Sequence, residues 1–336
     1  MSNTDIQALL NGSATIQTKI EILPQVAGES SITLTESNGV VSWDYEDFRF
    51  IKDQGFIGQF IAKQVTGTIK NPSDNFSMTD REFKLQMGIK VGNTLTWYSL
   101  GNFLVTKVTD DEVKDTTNFE ALDYTKKFNK RYEDTINYPC TMLELVQNIC
   151  NQCGCELGST NFKHKDWVID GNYFQNNESC RDVMKNLGKL AYSWVRVDWD
   201  NKVYFDFTKK TTVDSYNKIT NHEYYSLTTQ KEKKIVNRVV IGYSNIDGEQ
   251  TKVEDTASIK ANGLCEITIF DNPLVYSQAL REKAIIGASD LLGLEYTPLE
   301  MQTIGHPWLK GYELIEAVDM EGNVHKTIPF NRTIQY

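Results

Sequence analysis

Three cysteines lie within six positions of one another in the stretch QNICNQCGCELGSTNFKHK, residues 147–165. Cys150 and Cys153 have the C-x2-C spacing of one zinc knuckle. The remaining ligands for zinc or an iron–sulfur cluster would come from four further residues, Cys155, His164, Cys140 and Cys180. A second C-x2-C knuckle is absent from the sequence, so the metal interpretation is incomplete.

The same stretch also fits the periodicity of an amphipathic helix. Thr141, followed three residues later by Glu144, forms a capping box that begins a helix. The apolar positions of that helix fall on one face: Met142, Leu143, Val146, Ile149, Cys150 and Cys153. Free cysteine is often buried, and cysteines in a chain without an export signal usually stay thiols. The sequence therefore favours Cys150 and Cys153 as core thiols and predicts neither a metal site nor a cofactor.

Motifs of the common enzyme classes are missing from the sequence. It has no G-x-S-x-G, H-E-x-x-H, Walker or G-x-G-x-x-G pattern. The four histidines lie in polar or turn-rich stretches that favour local hydrogen bonding over general-base chemistry: His164, His222, His306 and His325. We predict a protein that is not an enzyme and has no catalytic residues.

A glycan-binding or cell-wall-hydrolysing module is the alternative. Its binding surface would use the six tryptophans, most of which lie in or beside alternating strands where burial is usual: Trp43, Trp97, Trp167, Trp194, Trp199 and Trp308. Its chemistry would use a carboxylate pair, which 45 acidic residues leave open.

The overall composition is that of an acidic globular protein. A length of 336 residues allows two or three domains, and a net charge of −10 disfavours direct binding of nucleic acid. The N-terminal residues lack the basic and apolar regions of a secretory signal, and no run of eighteen apolar residues occurs. We expect synthesis in a cytoplasm and no membrane segment.

Strand patterns dominate the first region, residues 1–130. Apolar residues alternate strictly from Phe83 to Val91, a turn follows, and a second strand returns. Asn38 and Gly39 are a strong hairpin signal after an earlier strand. Such a pattern of one buried and one wet face predicts a small antiparallel barrel or sandwich.

Two further domains are predicted. Residues 131–215 have an α+β pattern, with helices over 141–153 and about 179–192 followed by a hairpin in WVRVDWDNKVYFDF. Residues 216–336 return to strands, with turns at 245–248 and 321–323 and an inserted helix over 273–292. The fold class is thus α+β, mostly β.

In their order along the chain, several segments resemble the hub or tail-tip proteins of tailed bacteriophages, including tail-associated proteins and baseplate hubs. WYSLGNFLVTKVTDD is similar to a barrel strand of that family, and ALDYTKKFNKRY followed by YPCTMLELVQNICNQCGCEL to its entry into the lateral domain. SCRDVMKNLGKLAYSWVRVDWDNKVYF resembles its helix and hairpin unit. IFDNPLV and GHPWLKGYELIEAVDMEGNVHKTI resemble its closing helix and hairpin.

The resemblance implies a structural protein in the virion tail. It implies that residues 1–130 and 216–336 are two tube-like β-barrel domains and that residues 131–215 are a lateral α+β domain. Members form homotrimers whose two tube-like barrels per subunit make a ring that caps the tail tube until DNA ejection. The implied partners are the distal tail or tail tube protein, the tape-measure protein and a receptor-binding or fibre protein. DNA would pass through the lumen without specific binding, which agrees with the acidic charge of the chain.

Overall fold

The computed structural model describes residues 1–47, 57–73, 76–111, 113–174, 177–206, 213, 217–229, 234–242, 250–297, 299–303, 306–309, 313–327 and 332–335. Its α-helices are α1 (Asn3–Leu10), α2 (Met142–Gln152), α3 (Cys180–Leu190), α4 (Thr256–Asn262) and α5 (Gln278–Ile285). Its strands up to residue 122 are β1 (Ala14–Ile22), β2 (Ile32–Thr35), β3 (Val40–Asp47), β4 (Phe60–Ile61), β5 (Lys63–Lys70), β6 (Glu82–Val91), β7 (Thr94–Asp111) and β8 (Thr116–Leu122).

The later strands are shorter. They are β9 (Cys140–Thr141), β10 (Glu156–Leu157), β11 (Val168–Ile169), β12 (Trp194–Val197), β13 (Lys202–Asp206), β14 (Lys218–Ile219), β15 (Tyr224–Thr229), β16 (Lys234–Ile235), β17 (Arg238–Gly242), β18 (Gln250–Glu254), β19 (Glu266–Phe270), β20 (Glu295–Tyr296), β21 (Leu299–Thr303), β22 (Ile315–Val318), β23 (Val324–Thr327) and β24 (Arg332–Gln335). The fold is therefore mostly β, as predicted.

One large antiparallel sheet contains eight strands in the order β2-β1-β6-β7-β8-β5-β3-β24. Alternate residues of these strands point inward, as the alternation from Phe83 to Val91 predicts, and form a hydrophobic core of their own. The sheet is curved, which brings β3 close to β1 although four strands separate them in the sheet order. The Trp43 indole of β3 donates a 2.7 Å hydrogen bond to Thr18 Oγ1 of β1. We call this unit the large sheet.

The predicted closed barrel is not detected among the described strands, where β2 and β24 remain the two edges. The turn at Asn38 and Gly39 does form, since both backbone amides donate to Thr35 O. The hairpin predicted there is nevertheless wrong, because β2 pairs with β1 while β3 pairs with β5 and β24. Both edges of β3 are thus filled, which leaves none for β2.

The lateral region, residues 131–215, has the two helices that its sequence predicts. The Thr141–Glu144 capping box begins α2, and Ser179 caps α3. The predicted hairpin is β12 and β13, which lie in a four-stranded sheet of order β10-β13-β12-β4. Its outermost strand β4 comes from the first region of the chain.

The predicted continuous helix over 273–292 is wrong. A 3₁₀ segment (Pro273–Val275), α5 and a second 3₁₀ segment (Ile286–Leu291) replace it. The break has a local cause, because Ser277 has extended backbone at φ −110° and ψ 157° and caps a new helix that begins at Gln278. The Ser277 side chain accepts a hydrogen bond from the Leu280 amide. Asn272 caps the first 3₁₀ segment, which begins with Pro273.

Four small sheets make up the described strands of the C-terminal β region, residues 216–336, in place of a single second barrel: β14-β22-β23, β15-β21, β16-β20 and β18-β17-β19. The last strand, β24, instead joins the large sheet through β3. The turn predicted at 245–248 lies outside the described residues, while the turn at 321–323 connects β22 and β23.

The hydrophobic cores do not follow the order of the regions along the chain. A second core combines the lateral region with residues 236–294, so that Leu187 of α3 and Val239 of β17 belong to one cluster. We call this cluster the shared core. Helix α1, which the sequence did not predict, packs near a third, small cluster through Ile6. None of the helices in the described ranges is long and apolar enough to cross a membrane.

Candidate interaction surfaces

The cysteines of the 147–165 stretch are buried in the shared core. Cys150 lies inside α2, Cys153 at its C-terminal end and Cys155 just beyond it. Burial raises the pKa of the Cys150 thiol to about 12 and that of Cys155 to about 11, which disfavours the thiolate that metals bind. The predicted burial of Cys150 and Cys153 is confirmed, whereas the absence of a metal site stays a prediction.

His164, the fourth candidate ligand, has a different role. Its Nδ1 donates a 2.7 Å hydrogen bond to Leu190 O at the end of α3. Burial lowers the pKa of the ring, which keeps it neutral. Groups of three or more His, Cys, Asp or Glu side chains able to hold a metal ion are not found in the described part of the chain.

The other histidines and the tryptophans are mostly structural. His325 Nε2 lies 2.9 Å from Asp319 Oδ2 in the β22–β23 hairpin, and His306 is buried with Nε2 3.6 Å from Glu223 Oε1. Four of the six tryptophans are buried: Trp43, Trp167, Trp194 and Trp308. A glycan platform built from all six is therefore not available on the surface.

The lateral region docks on the strand β4, which extends from the large sheet. Phe60 and Ile61 pair in parallel with β12. Arg181 of α3 adds a 2.8 Å hydrogen bond from Nη2 to Phe60 O, and the Phe60 ring meets Phe128 edge-on with 4.9 Å between centroids. Backbone, side-chain and ring contacts thus hold the two regions together.

A second contact is made by the tip of the β12–β13 hairpin. The Trp199 indole donates a 3.0 Å hydrogen bond to the Tyr45 hydroxyl of β3. Asn201 Oδ1 accepts a 2.7 Å bond from the backbone amide of Asn102 in β7. The lateral region thus contacts the large sheet through the hairpin tip as well as through β4.

Between these contacts lies a buried group of charges. Lys63 of β5 and Asp123 are each no more than 3% exposed, and the Asp123 amide donates a 3.0 Å bond to Lys63 O. Burial raises the pKa of Asp123 to about 6, although Lys63 and Thr125 oppose the change. Burial also lowers the pKa of Arg181, which Asp123 opposes. No sequence motif marks these residues, since their proximity depends on the pairing of β5 and β8.

The outer face of the large sheet carries a shallow polar concavity of about 410 Å³. It crosses β3, β5, β8 and β7. Thr68 Oγ1 donates a 2.7 Å hydrogen bond to Asn118 Oδ1 there, and Lys107 Nζ lies 2.7 Å from Glu120 Oε1. Because small-molecule pockets are mostly apolar, this shallow polar surface does not have the usual character of one.

The edges of the large sheet are a further surface. Within the described residues, β2 and β24 each have a single hydrogen-bonded neighbour. Edge strands present backbone N–H and C=O groups with which another strand can pair. β2 and β24 are therefore the edges of the large sheet, among the described strands, with which a further strand could pair.

Comparisons with known proteins agree with the topology. No protein-family model and no curated protein sequence matches the chain. A tail protein from Neisseria meningitidis MC58 matches with a TM-score of 0.57 at 10% identity, over 95% of this chain and 92% of that one. The 43 kDa tail protein of prophage MuSo2 from Shewanella oneidensis has a TM-score of 0.54 at 11% identity, over 95% and 93%.

A third match is the prophage tail protein gp18 from Listeria monocytogenes EGD-e, with a TM-score of 0.53 at 9% identity, over 94% of this chain and 90% of that one. Identities this low show a common fold and leave function to be argued from the molecule. The chain has the fold of phage tail proteins, and the resemblance drawn from the sequence segments is confirmed at that level.

Proposed function

We propose that this protein is a structural hub of a phage tail tip or baseplate, which forms a trimeric ring, caps the tail tube and gates the passage of the tape-measure protein and DNA. The observation that carries the proposal is the match to three tail proteins over at least 94% of this chain. A match of this extent includes the lateral region as well as the sheets, so the similarity is not confined to one common motif.

The surfaces of the molecule suit such an assembly. Two edges of the large sheet allow strands of neighbouring copies to pair with it, and a cyclic interface repeated three times closes a ring. The polar concavity offers a contact surface for the distal tail or tail tube protein. A net charge of −10 favours a lumen that repels DNA and lets it pass without specific binding.

The remaining parts of the proposal concern organisation and place. We propose three units, residues 1–130, 131–215 and 216–336, with β24 crossing from the third unit to the sheet of the first. The tape-measure protein and a receptor-binding or fibre protein are further partners. The protein would assemble in the host cytoplasm and act in the virion tail, without catalysis or a cofactor.

Light scattering on the purified native chain tests the oligomer. We expect a mass of about three times 38.4 kDa, and threefold rings in averaged electron micrographs of the same sample. A monomeric mass at every concentration, with no ring in the micrographs, would overturn the trimer. Elemental analysis of that sample tests whether the cysteines bind a metal ion. Zinc or iron in stoichiometric amount would contradict the prediction of no metal.

The alternative of a cell-wall hydrolase or glycan-binding module has less support. Most tryptophans are buried, and the three matched structures are tail proteins. Release of soluble fragments from purified peptidoglycan, abolished by replacing one carboxylate of a spatial pair, would favour that alternative over a purely structural role.

A further inference from the structure

Helix α1 connects the large sheet to the C-terminal β region. The amide of its cap residue Ser2 donates a 3.0 Å hydrogen bond to the Tyr98 hydroxyl of β7, and this hydroxyl donates to the Asp5 carboxylate. Ile6 is buried among residues of the C-terminal region: Ile219, Trp308, Leu309 and Ile315. Leu9 packs against both these residues and the core of the large sheet. Opening of α1 would therefore disturb contacts with both parts of the molecule.

An Asn-Gly pair ends this helix. Asn11 is the C-terminal cap, with φ −85° and ψ 1°, and Gly12 follows in the left-handed region at φ 67°. Both residues are exposed. Among the residues that the structure describes, the Asn11 side chain has no hydrogen-bond partner. A Cβ atom added to Gly12 would meet nothing within 4 Å, so the space beside the pair is open.

An Asn-Gly pair can lose ammonia without an enzyme. The backbone nitrogen of the glycine gives up its proton to solvent and attacks Cγ of the asparagine side chain. The side-chain nitrogen leaves as ammonia, and a succinimide ring closes. Water then opens the ring at either carbonyl and gives aspartate or isoaspartate, so that one amide and one water become one carboxylate and one ammonium ion. Glycine favours the attack because it has no side chain beside the nitrogen.

The reaction at Asn11 needs only a small opening of the structure. The Gly12 amide donates a 3.0 Å hydrogen bond to Leu9 O, which the nitrogen must leave before it reaches Asn11 Cγ. This bond belongs to the last turn of an eight-residue helix, so its release requires local fraying and no wider unfolding. Because no hydrogen bond within the described part of the chain holds the Asn11 side chain, it is free to turn toward the released nitrogen.

The Asn-Gly pair at Asn38 and Gly39 is held more firmly. The Gly39 amide donates a 2.9 Å hydrogen bond to Thr35 O. The Asn38 side chain accepts a 3.1 Å bond from Thr35 Oγ1 and donates a 3.3 Å bond to Thr33 O. The pair lies between β2 and β3, which both belong to the large sheet. Reaction there requires the side chain and the glycine nitrogen to be released together.

A third pair, Asn262 and Gly263, is intermediate. The Gly263 amide donates a 2.9 Å hydrogen bond to Ile259 O. Asn262 Nδ2 donates to Ser258 O at 3.2 Å and to Ser258 Oγ at 3.3 Å, which holds the side-chain amide back along α4. None of the residues described in α4 is buried, so these bonds open more readily than those at Asn38.

We propose that Asn11 is the principal site of spontaneous deamidation in this protein, and that the modification weakens the connection made by α1. The new carboxylate lies at the C-terminal end of the helix, where the negative end of the helix dipole disfavours it. Isoaspartate also inserts the side-chain methylene into the main chain, which displaces the next two amides from their acceptors, Leu9 O and Ala8 O. Contacts of α1 with the large sheet and with the C-terminal β region loosen together.

Peptide mapping of the native full chain tests the site. The protein is incubated in mildly alkaline buffer made with water enriched in heavy oxygen, and mass spectrometry follows the label that hydrolysis of the ring leaves in each peptide. We expect label at Asn11 before Asn262, and at a rate about tenfold or more above that at Asn38, which corresponds to about 1.4 kcal/mol of opening free energy. Faster labelling at Asn38 or Asn262 than at Asn11 would overturn the proposal.

The same incubation in guanidinium chloride is the control for structure. The three Asn-Gly pairs should react at similar rates there, because unfolding removes the hydrogen bonds that hold Asn38 and Asn262. If Asn11 keeps its advantage in the denatured chain, the neighbouring residues and not the fold set the order, and the structural argument is contradicted.

Asn11→Asp tests the consequence for α1, with Asn11→Gln as the matched control that keeps a neutral amide. Hydrogen exchange in Asn11→Asp should become faster in α1 and β22 and stay unchanged in β12 and β13, which lie in the lateral region. Exchange in Asn11→Gln should match that of the unmodified wild type. Equal exchange in α1 for the deamidated and the fresh wild-type chain would show that the modification does not weaken the connection.

Discussion

The large sheet and the lateral region are stabilised in different ways. Eight hydrogen-bonded strands enclose the core of the large sheet, and that core contains residues of the first region almost alone. The lateral region has short strands and two helices, and its core is completed by residues 236–294. A long antiparallel ladder can bury its own apolar face, whereas two helices over a small sheet need a further layer.

Specific contacts join the lateral region to the segment that completes its core. The Tyr192 hydroxyl donates a 2.6 Å bond to Ala284 O, and Lys163 Nζ donates a 2.7 Å bond to Gly287 O. Asn272 Nδ2 donates a 2.7 Å bond to Asn186 O. Because they share one core, residues 131–215 and 236–294 should unfold together, while the large sheet has stability of its own.

The largest expected effect comes from Leu187→Ala in α3, where the side chain is fully buried. The cavity should lower the free energy of unfolding by about 2–5 kcal/mol. Hydrogen exchange should become faster in both 142–206 and 236–294, with the large sheet unchanged. Leu85→Ala, an equally buried leucine of β6, is the matched control and should affect the large sheet. Faster exchange in 142–206 alone after Leu187→Ala would show that the two segments do not share stability.

The pH dependence of stability should report on the buried charges where the two units meet. The pKa of Asp123 is 3.8 when unperturbed and about 6 in the folded protein, so the folded state binds this proton more tightly. Its contribution to the free energy of unfolding should therefore fall as pH rises from about 4 to about 6, by about 3 kcal/mol. The measurement is the difference in urea stability between the wild type and Asp123→Asn across that range.

Asp182→Asn is the control for this titration. The hydrogen bonds from Ser179 and Lys185 lower the pKa of Asp182 despite burial. The contribution of Asp182 should consequently be present at neutral pH and decrease as pH falls, opposite in sign to that of Asp123. Equal slopes for both variants would contradict the assignment of the effect to Asp123.

Asn272→Ala removes a side chain that connects the C-terminal segment to α3. It should cost about 1–3 kcal/mol, because Asn272 is fully buried, and its loss leaves Asn186 O without this donor and Leu274 N without its acceptor. Thermal unfolding followed by circular dichroism measures the change. Asn272→Asp keeps the oxygen that accepts from Leu274 N and removes the donor to Asn186 O. If both variants lose no more stability than a surface substitution does, the proposed connection is contradicted.

The smallest expected effect concerns the hairpin tip. Trp199→Phe removes the indole donor to the Tyr45 hydroxyl and should cost about 1 kcal/mol. Tyr45→Phe removes the other partner, and a double-mutant cycle isolates the interaction between the two. A coupling energy near zero would mean that the tip adds packing but no hydrogen-bond stability to the contact with the large sheet.

Much of the local structure was predictable from sequence. The capping box at Thr141 and Glu144, the helix at about 179–192 and the alternation of β6 depend on residues a few positions apart, and each is confirmed. The predicted helix over 273–292 is wrong because helical periodicity does not reveal the extended Ser277 that interrupts it. Ala284 and Ala288 of that segment are nevertheless fully buried.

The hairpin at Asn38 and Gly39 shows the opposite limit. Its turn chemistry was read correctly, but the partners of the flanking strands were decided elsewhere, because β3 is already paired on both edges. The buried charges at Lys63 and Asp123 had no sequence signal either. Each depends on elements that meet only after the chain has folded.

The amino-acid sequence alone is enough to establish the periodicity of helices and strands, the acidic charge and the order of segments that resembles phage tail proteins. These properties follow from nearest neighbours along the chain, because side chains repeat every two or about 3.6 residues. Three features are visible only in the folded molecule: the large sheet stays open, β24 returns to β3, and two regions share a core. Which distant strands pair depends on which strand edges are still unpaired. The length of the connecting loop does not select the partner, because the entropy cost of closing a loop increases only slowly with its length.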